Sequence, residues 1–343
     1  MSRRSPLVNY IFGFISGIAL SLLLLNYFVY DKSHAHTKLE HDEPEDLQLK
    51  HDMHESVRVL CWIMTSPKNT YSKAVHINAT WAPRCNKYIF FSSEPNSTLP
   101  TADLNVTEGR NYLWGKTKAA FRYLYDNELN NFDWFLKADD DTYVIMENLR
   151  FMLMGYSPND PLYFGCKFKP FVKAGYMSGG AGYVVSREAL KRFVEDALPD
   201  KKKCKSTDTG AEDAEVGKCM NNVGVIAGDS RDYKGRHRML PFSPVTHVRA
   251  NGSVPNWFTQ YIYYPYKQGN DCCSNYMVSF HYINPGLMYT IEYFIYKLKL
   301  FGLHHEHFQV YGNEGDTIFS RGQKFAQAYS QFKDSSLPKP TDP

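Results

Sequence analysis

This chain predicts an α/β fold with a mostly parallel sheet, on three observations. From residue 57 onward, short apolar runs of strand length alternate with amphipathic helical stretches. The clearest run, Phe132 to Lys137, leads directly into Asp139, Asp140 and Asp141, so the acidic triplet stands at the carboxyl end of a strand, where open α/β sheets collect ligands. Residues 56–310 then supply about 250 positions, enough for a single large domain.

In order along the chain, residues 1–6 form a short basic tail with Arg3 and Arg4, and residues 7–30 carry no charge and include Leu22 to Leu25. That length suits one membrane-spanning helix and exceeds the apolar segment of a cleavable signal peptide, which would also end on small residues rather than on Tyr27, Phe28 and Tyr30. Basic residues before the span and acidic ones after it predict a type II single-pass topology with the remainder in the lumen. Residues 31–55 are polar, with His34, His36, His41, His51 and His54 at irregular spacing, and read as a stem. Residues 311–343 are polar, end in a proline-rich run and predict a tail without fixed structure.

Within the globular part, residues 57–65 and 87–91 read as strands. Residues 115–129 read as a helix, because Ala120, Phe121, Leu124 and Tyr125 share a face. The stretch 176–186 holds Gly179, Gly180 and Gly182 and leads into a strand at 183–185, with Ser186 as N-cap of a helix over 187–195. It has neither the lysine of a phosphate loop nor dinucleotide-binding spacing; it reads as a glycine turn or as a close wall beside a sugar. Residues 200–211, with Lys201 to Lys203, read as a variable loop. Residues 278–283 alternate like a strand and place Ser279, His281 and Ile283 on one face.

A lumenal location gives meaning to four N-glycosylation triplets, at Asn78, Asn96, Asn105 and Asn251. It also turns the seven cysteines into disulfide candidates. Cys61 with Cys85 and Cys204 with Cys219 are the local pairings, while Cys272 and Cys273 either bond each other or pair elsewhere. Cys166, among Tyr163, Phe164 and Gly165, reads as a buried free thiol. A net charge of +3 says little by itself, and no basic stripe suggests a nucleic-acid partner.

Three adjacent carboxylates call for a positive visitor: a lysine or arginine cluster, Ca²⁺, or Mg²⁺ or Mn²⁺ carrying substrate phosphates. Imidazole from His281 beside carboxylate suits Mn²⁺ better than Mg²⁺. Glu212 and Asp213, at a helix start, either complement the helix dipole or supply a carboxylate base for an acceptor hydroxyl.

The ordered motifs "DWFLKADDDTYV", "FKPFVKAGYMSGGAGYVVSREALKRFV", "EDAEVGKCM", "AGDSRD", "YYPYKQGNDCCS" and "VSFHYI" resemble, over residues 57–303, the inverting β1,3-glycosyltransferase family that includes the fringe proteins, and within it the core 1 β1,3-galactosyltransferases. The resemblance implies a nucleotide-diphosphosugar transferase fold, and transfer of galactose from UDP-galactose to O3 of GalNAc α-linked to Ser or Thr of glycoproteins. It further implies Mn²⁺, Golgi residence and a homodimer. Residue by residue, it implies Asp141, His281 and Asp139 as metal ligands and Asp213 as general base. It places Asp139, Asp140, Thr65, Ser66, Lys68 and Lys116 at the nucleotide sugar, and Trp257, Tyr176, Tyr282 and Glu212 at the acceptor.

Rival readings are a fringe-like transferase using UDP-GlcNAc, a catalytically silent chaperone-like relative, and a lectin. The silent relative would be expected to have lost the metal aspartates, and the lectin would not need Asp213. A phosphatase of the two-aspartate type would need threonine where Tyr143 stands. Dependence on a dedicated chaperone stays open at this point.

Overall fold

The computed structural model describes residues 48–250, 254–298 and 315–330. The chain divides into two units, residues 1–52 and 53–343. The described part of the first, residues 48–52, is helical. The expected membrane span and most of the expected stem lie outside the described residues, as does Asn251; no helix among the described residues is long and apolar enough to cross a membrane.

The second unit is built on a seven-stranded sheet. Its strands are β1 (Val59–Met64), β2 (Lys87–Ser92), β3 (Thr101–Asp103), β4 (Trp134–Asp139), β6 (Leu162–Gly165), β9 (Tyr183–Ser186) and β10 (Ile226–Ala227), in the spatial order β10-β6-β9-β4-β1-β2-β3. Every pairing is parallel except those of β9, which runs antiparallel to both β4 and β6. The sheet is buried on both faces, as parallel sheets are. Along β1, Val59, Cys61 and Ile63 enter one apolar core while Leu60, Trp62 and Met64 enter the other, so the two-residue period of the strand feeds two layers. Helices Leu113–Glu128 and Arg187–Arg192 contribute Trp114, Phe121, Leu124 and Leu190 to the second layer, and helix Met146–Leu153 contributes Leu149 and Met152 to the first. Ser186 caps its helix as expected, accepting a hydrogen bond from Ala189 N at 3.0 Å.

A second sheet has three short strands in the order β11 (Met239–Leu240), β12 (Ser279–Phe280), β5 (Tyr143–Val144), and β7 (Lys167–Phe168) pairs with β8 (Tyr176–Met177) in a third. The strand expected over 278–283 is thus only two residues long, because Tyr282 takes a φ of +55° that ends it. The tail expected to lack structure contains the helix Ile318–Ser330. Gln323 Nε2 there donates to Met154 O, at 3.5 Å, and Ala326 is fully buried, so an apolar contact on helix Met146–Leu153 outweighs the polar composition. The loop expected to vary, 200–211, is docked: Lys118 Nζ donates to Ser206 O and Thr207 O, and Trp114 Nε1 to Lys205 O. Disulfides join Cys61 to Cys85, Cys204 to Cys219, and Cys272 to Cys273, and Cys166 is free and buried.

Candidate active site and metal centre

The acidic triplet lies at the end of β4, where the parallel register sets Met64 of β1 beside Asp139. A turn closes it: Thr142 N donates to Asp139 O at 3.1 Å, and Asp139 N donates to Thr142 Oγ1 at 3.2 Å. The small sheet then brings in the histidine. Antiparallel pairing of Phe280 with Tyr143 continues past the strand ends, where Ile283 N donates to Asp141 O at 2.9 Å. His281 Nε2 comes to 3.0 Å from Asp141 Oδ1 and 3.8 Å from Asp139 Oδ2. Among the described residues, Asp139, Asp141 and His281 form a group whose ligand atoms all lie within 4.8 Å of one another. Two carboxylates and one imidazole make a donor set that fits a divalent ion of the Mn²⁺ type.

Asp140 has a different set of partners. It accepts hydrogen bonds from Thr65 Oγ1 at 3.0 Å and Asn69 Nδ2 at 2.8 Å, and Lys73 Nζ bridges Asp140 Oδ1 and Asp141 Oδ2 at 3.0 and 2.9 Å. Burial works to raise the Asp141 carboxyl, but the hydrogen bonds and charges of His281 and Lys73 outweigh it and hold it well below the usual carboxylate range. At Asp140 burial wins and the carboxyl is raised. A cavity of about 250 Å³ opens here, lined by Lys73, Asp140, Asp141, Tyr282, Asn284 and Met288 among others.

The second acidic pair begins the helix Glu212–Asn222. Glu212 Oε1 accepts from Tyr183 OH at 2.8 Å and Thr117 Oγ1 at 3.3 Å. Asp213 accepts from the backbone N–H of Gly179 at 3.3 Å and of Ala214 at 2.8 Å. Desolvation raises both carboxyls. A helix N-terminus by itself would lower them, so burial dominates over the dipole at this spot.

Lys137 connects the two acidic groups. Its ammonium is buried on β4, 2.5 Å from Asp139 Oδ1, and donates to Gly179 O at 3.0 Å. Burial opposes its charge, yet Asp139, Glu212 and Asp213 push its pKa up to about 12. The glycines make this proximity possible. A Cβ on Gly179 would stand 2.7 Å from Glu212 Oε2, one on Gly180 would overlap the His281 ring, and Gly182 has a φ of +76°. In the stretch expected as a glycine turn or a wall beside a sugar, Gly179 and Gly180 thus leave room for the chain's own Glu212 and His281.

Other expected site residues scatter. Ser66 Oγ is buried and finds no hydrogen-bond partner among the described residues, while Lys68 is exposed. Lys116 is buried, with Nζ at 2.6 Å from Glu108 Oε1 and 2.5 Å from the carbonyl oxygen of Thr65, another residue expected at the nucleotide sugar. Tyr176, expected at the acceptor, is only 3% exposed, with its ring against Phe168 and its Cβ against Gly217. Trp257 and Tyr282, at 43% and 59% exposed, do present rings to solvent on either side of Phe242. Asn78 is engaged by Tyr88 OH at 2.9 Å with Thr80 buried, whereas Asn105 is exposed. Sequence reasoning missed Lys73, Asn69, Thr117, Tyr183 and Lys137. Only Lys137 carried a local signal, a lone cation in an otherwise apolar strand.

With this geometry in hand, the family model described as Fringe-like matches residues 55–234. The chain belongs to the Fringe-like family. A Xenopus laevis protein named glycoprotein-N-acetylgalactosamine 3-beta-galactosyltransferase 1 is 47% identical over 277 residues, covering 80% of this chain and 76% of that one. A Mus musculus beta-1,3-glucosyltransferase is 29% identical over 43% of this chain and 30% of its own length. Homo sapiens chondroitin sulfate synthase 3 is 32% identical over 47% of this chain and 20% of its own. Within the family, the Xenopus likeness supports a core 1 β1,3-galactosyltransferase.

Proposed function

We propose that this chain transfers galactose from UDP-galactose to O3 of GalNAc α-linked to Ser or Thr of glycoproteins, inverting the sugar's anomeric configuration. One observation carries the reading: a desolvated carboxylate, Asp213, joined through Lys137 and Gly179 to a metal-type triad. Asp213 takes the proton of the attacking O3, a role that needs a partly dry carboxylate able to hold a proton. Galactose is displaced from the face opposite the departing diphosphate. Asp139, Asp141 and His281 would hold Mn²⁺, which when bound supplies Lewis-acid neutralisation of charge on that leaving group. Lys137 fixes Asp139 and the Gly179 carbonyl, and the Gly179 N–H orients Asp213. Ser66, with its unanswered hydroxyl at the end of β1, and Thr65, Lys68 and Asp140 serve the nucleotide sugar. Trp257 and Tyr282 offer faces on which the acceptor sugar stacks, with Glu212 beside it. The charge-free stretch 7–30 supports a type II Golgi anchor ahead of a stem over 31–55 and a lumenal catalytic domain over 56–310; the family resemblance adds a homodimer.

The test is to offer the purified full-length chain UDP-galactose and UDP-N-acetylglucosamine with an α-GalNAc-threonine peptide, with and without Mn²⁺. Transfer from UDP-galactose alone, with Mn²⁺, is expected. Transfer from UDP-N-acetylglucosamine instead would move the chain to a fringe-type donor, and binding without turnover to a silent relative.

A further inference from the structure

A row of aromatic rings leads away from the acidic loop over one surface. His281 meets Tyr282 at 4.0 Å between centroids, Tyr282 stacks on Phe242 at 6.0 Å, and Phe242 meets Trp257 at 5.7 Å. Trp257 then meets Tyr261 at 5.5 Å, and Tyr261 meets Phe171 at 6.0 Å. Phe242 is nearly buried, whereas Tyr282, Trp257 and Phe171 are 59%, 43% and 65% exposed.

Phe171 is the unexplained member. It sits at the tip of the β7–β8 hairpin, where Val172 N donates to Pro170 O at 2.9 Å and closes a γ-turn around it, with a φ of +69°. That form of the turn is rare and strained for a residue with a bulky side chain. The hairpin is otherwise well anchored: Lys169 N donates to Tyr261 O at 2.8 Å, Gly175 N to Val172 O at 2.9 Å, and Val172 is buried. A large ring is thus held in water at a backbone cost of about 1–3 kcal/mol, beside a valine that already supplies the fold's apolar contact. Strain of this kind points to a ligand.

We propose that Phe171 is a subsite for the acceptor polypeptide, receiving an apolar side chain near the glycosylated Ser or Thr. The occupant follows from continuity: Phe171 and Trp257 flank the same Tyr261 ring, so a peptide whose sugar rests on Trp257 passes over Phe171. The two centroid steps bound the Trp257–Phe171 separation at about 12 Å, which an extended chain covers in roughly four residues at about 3.3 Å each. The surface therefore reads one apolar residue within about four positions of the sugar. This rests on the transfer reading above.

The experiment uses the full-length chain, free α-GalNAc-threonine, and glycopeptides in which a single leucine walks through four positions on each side of a central α-GalNAc-threonine. In the parent protein, leucine at one or two positions should lower KM. Phe171→Ser should raise KM for those peptides by about threefold to tenfold, the scale of one aromatic contact, leaving kcat, KM for UDP-galactose and KM for free α-GalNAc-threonine unchanged. Phe171→Tyr should restore the preference. Equal KM changes for every acceptor, no positional preference in the parent, or loss of an oligomer by sedimentation on Phe171→Ser would each overturn the proposal, the last assigning this face to a second copy. Calorimetric glycopeptide affinity keeps two failures apart: if Phe171→Ser weakens binding in a chain that transfers no galactose, the reaction reading fails and the surface stands.

Discussion

Two acidic groups stand near the carboxyl edge of the same sheet, and the surroundings of Asp141 in the first drive it opposite to Glu212 and Asp213 in the second. Asp141 lies between the His281 ring at 3.0 Å and the Lys73 ammonium at 2.9 Å, and its carboxyl is held well below the usual range. Glu212 and Asp213 have hydroxyl and backbone donors for direct partners, and desolvation raises them. Carboxylates whose environments separate their affinities for protons divide the labour of acid–base chemistry. Asp141 suits a charge that stays, as metal ligation requires; Glu212 and Asp213 suit a proton that comes and goes. Lys137 is shared by both, and its charge keeps three carboxylates together in a nearly dry space.

The contrast breaks most completely from the metal side. Asp141→Ala or His281→Ala should each lower Mn²⁺-dependent turnover by about 10³-fold or more, given that Lewis-acid stabilisation is worth several kcal/mol. Tm should change little, since neither substitution removes core volume; near-parent turnover in either variant would remove that residue from the site. Gly180→Ala should do damage of a different kind. Its methyl meets the His281 ring, and overpacking costs about 1–3 kcal/mol, so Tm and apparent Mn²⁺ affinity should fall together. A fall in Tm alone would mean that His281 swings away without consequence for the metal.

Two smaller effects sharpen the comparison. A raised Asp213 carboxyl must lose its proton to act, so kcat/KM should decline on the acid side with a midpoint above the ordinary carboxylate range, and activity is lost as pH falls through it. An acid limb at the ordinary carboxylate value would show that Asp213 is wetter than the structure has it. Trp257→Ala should raise KM for the glycopeptide by roughly tenfold, a stacking loss of about 1–1.5 kcal/mol, while KM for UDP-galactose holds. Equal rises would indicate a folding defect.

Much of this was legible along the chain, and the rest was not for identifiable reasons. The strand before the triplet, the Ser186 cap and the helix over residues 115–129 follow from period and capping alone. Asp139, Asp141 and His281 were assigned by resemblance; their meeting depends on the short β5–β12 pairing, two residues on each strand, too brief for any pattern to reveal. Lys73 reaches the triplet from 66 or more positions away along the chain, in a segment with no distinguishing texture. The burial of Tyr176 could not be read along the chain either, since Gly217, 41 positions away, is what lets its side chain pack inward. The helix Ile318–Ser330 was missed because its polar residues mask an apolar contact of few positions, Ala326 among them.

The claim that the second cluster handles the proton is tested most directly by Asp213→Asn, with turnover, UDP-galactose affinity and Tm measured on the same preparation. Asparagine retains an acceptor for the Gly179 and Ala214 N–H groups but takes no proton. A raised carboxyl pKa means that ionised Asp213 disfavours folding at neutral pH, so the neutral amide should leave Tm unchanged or higher. Turnover should fall by about 10² to 10⁴ with donor affinity intact. Turnover near that of the parent, or a loss of donor affinity that accounts for the whole defect, would contradict the assignment of Asp213 as the base; a full loss in Glu212→Gln in its place would transfer the role to its neighbour.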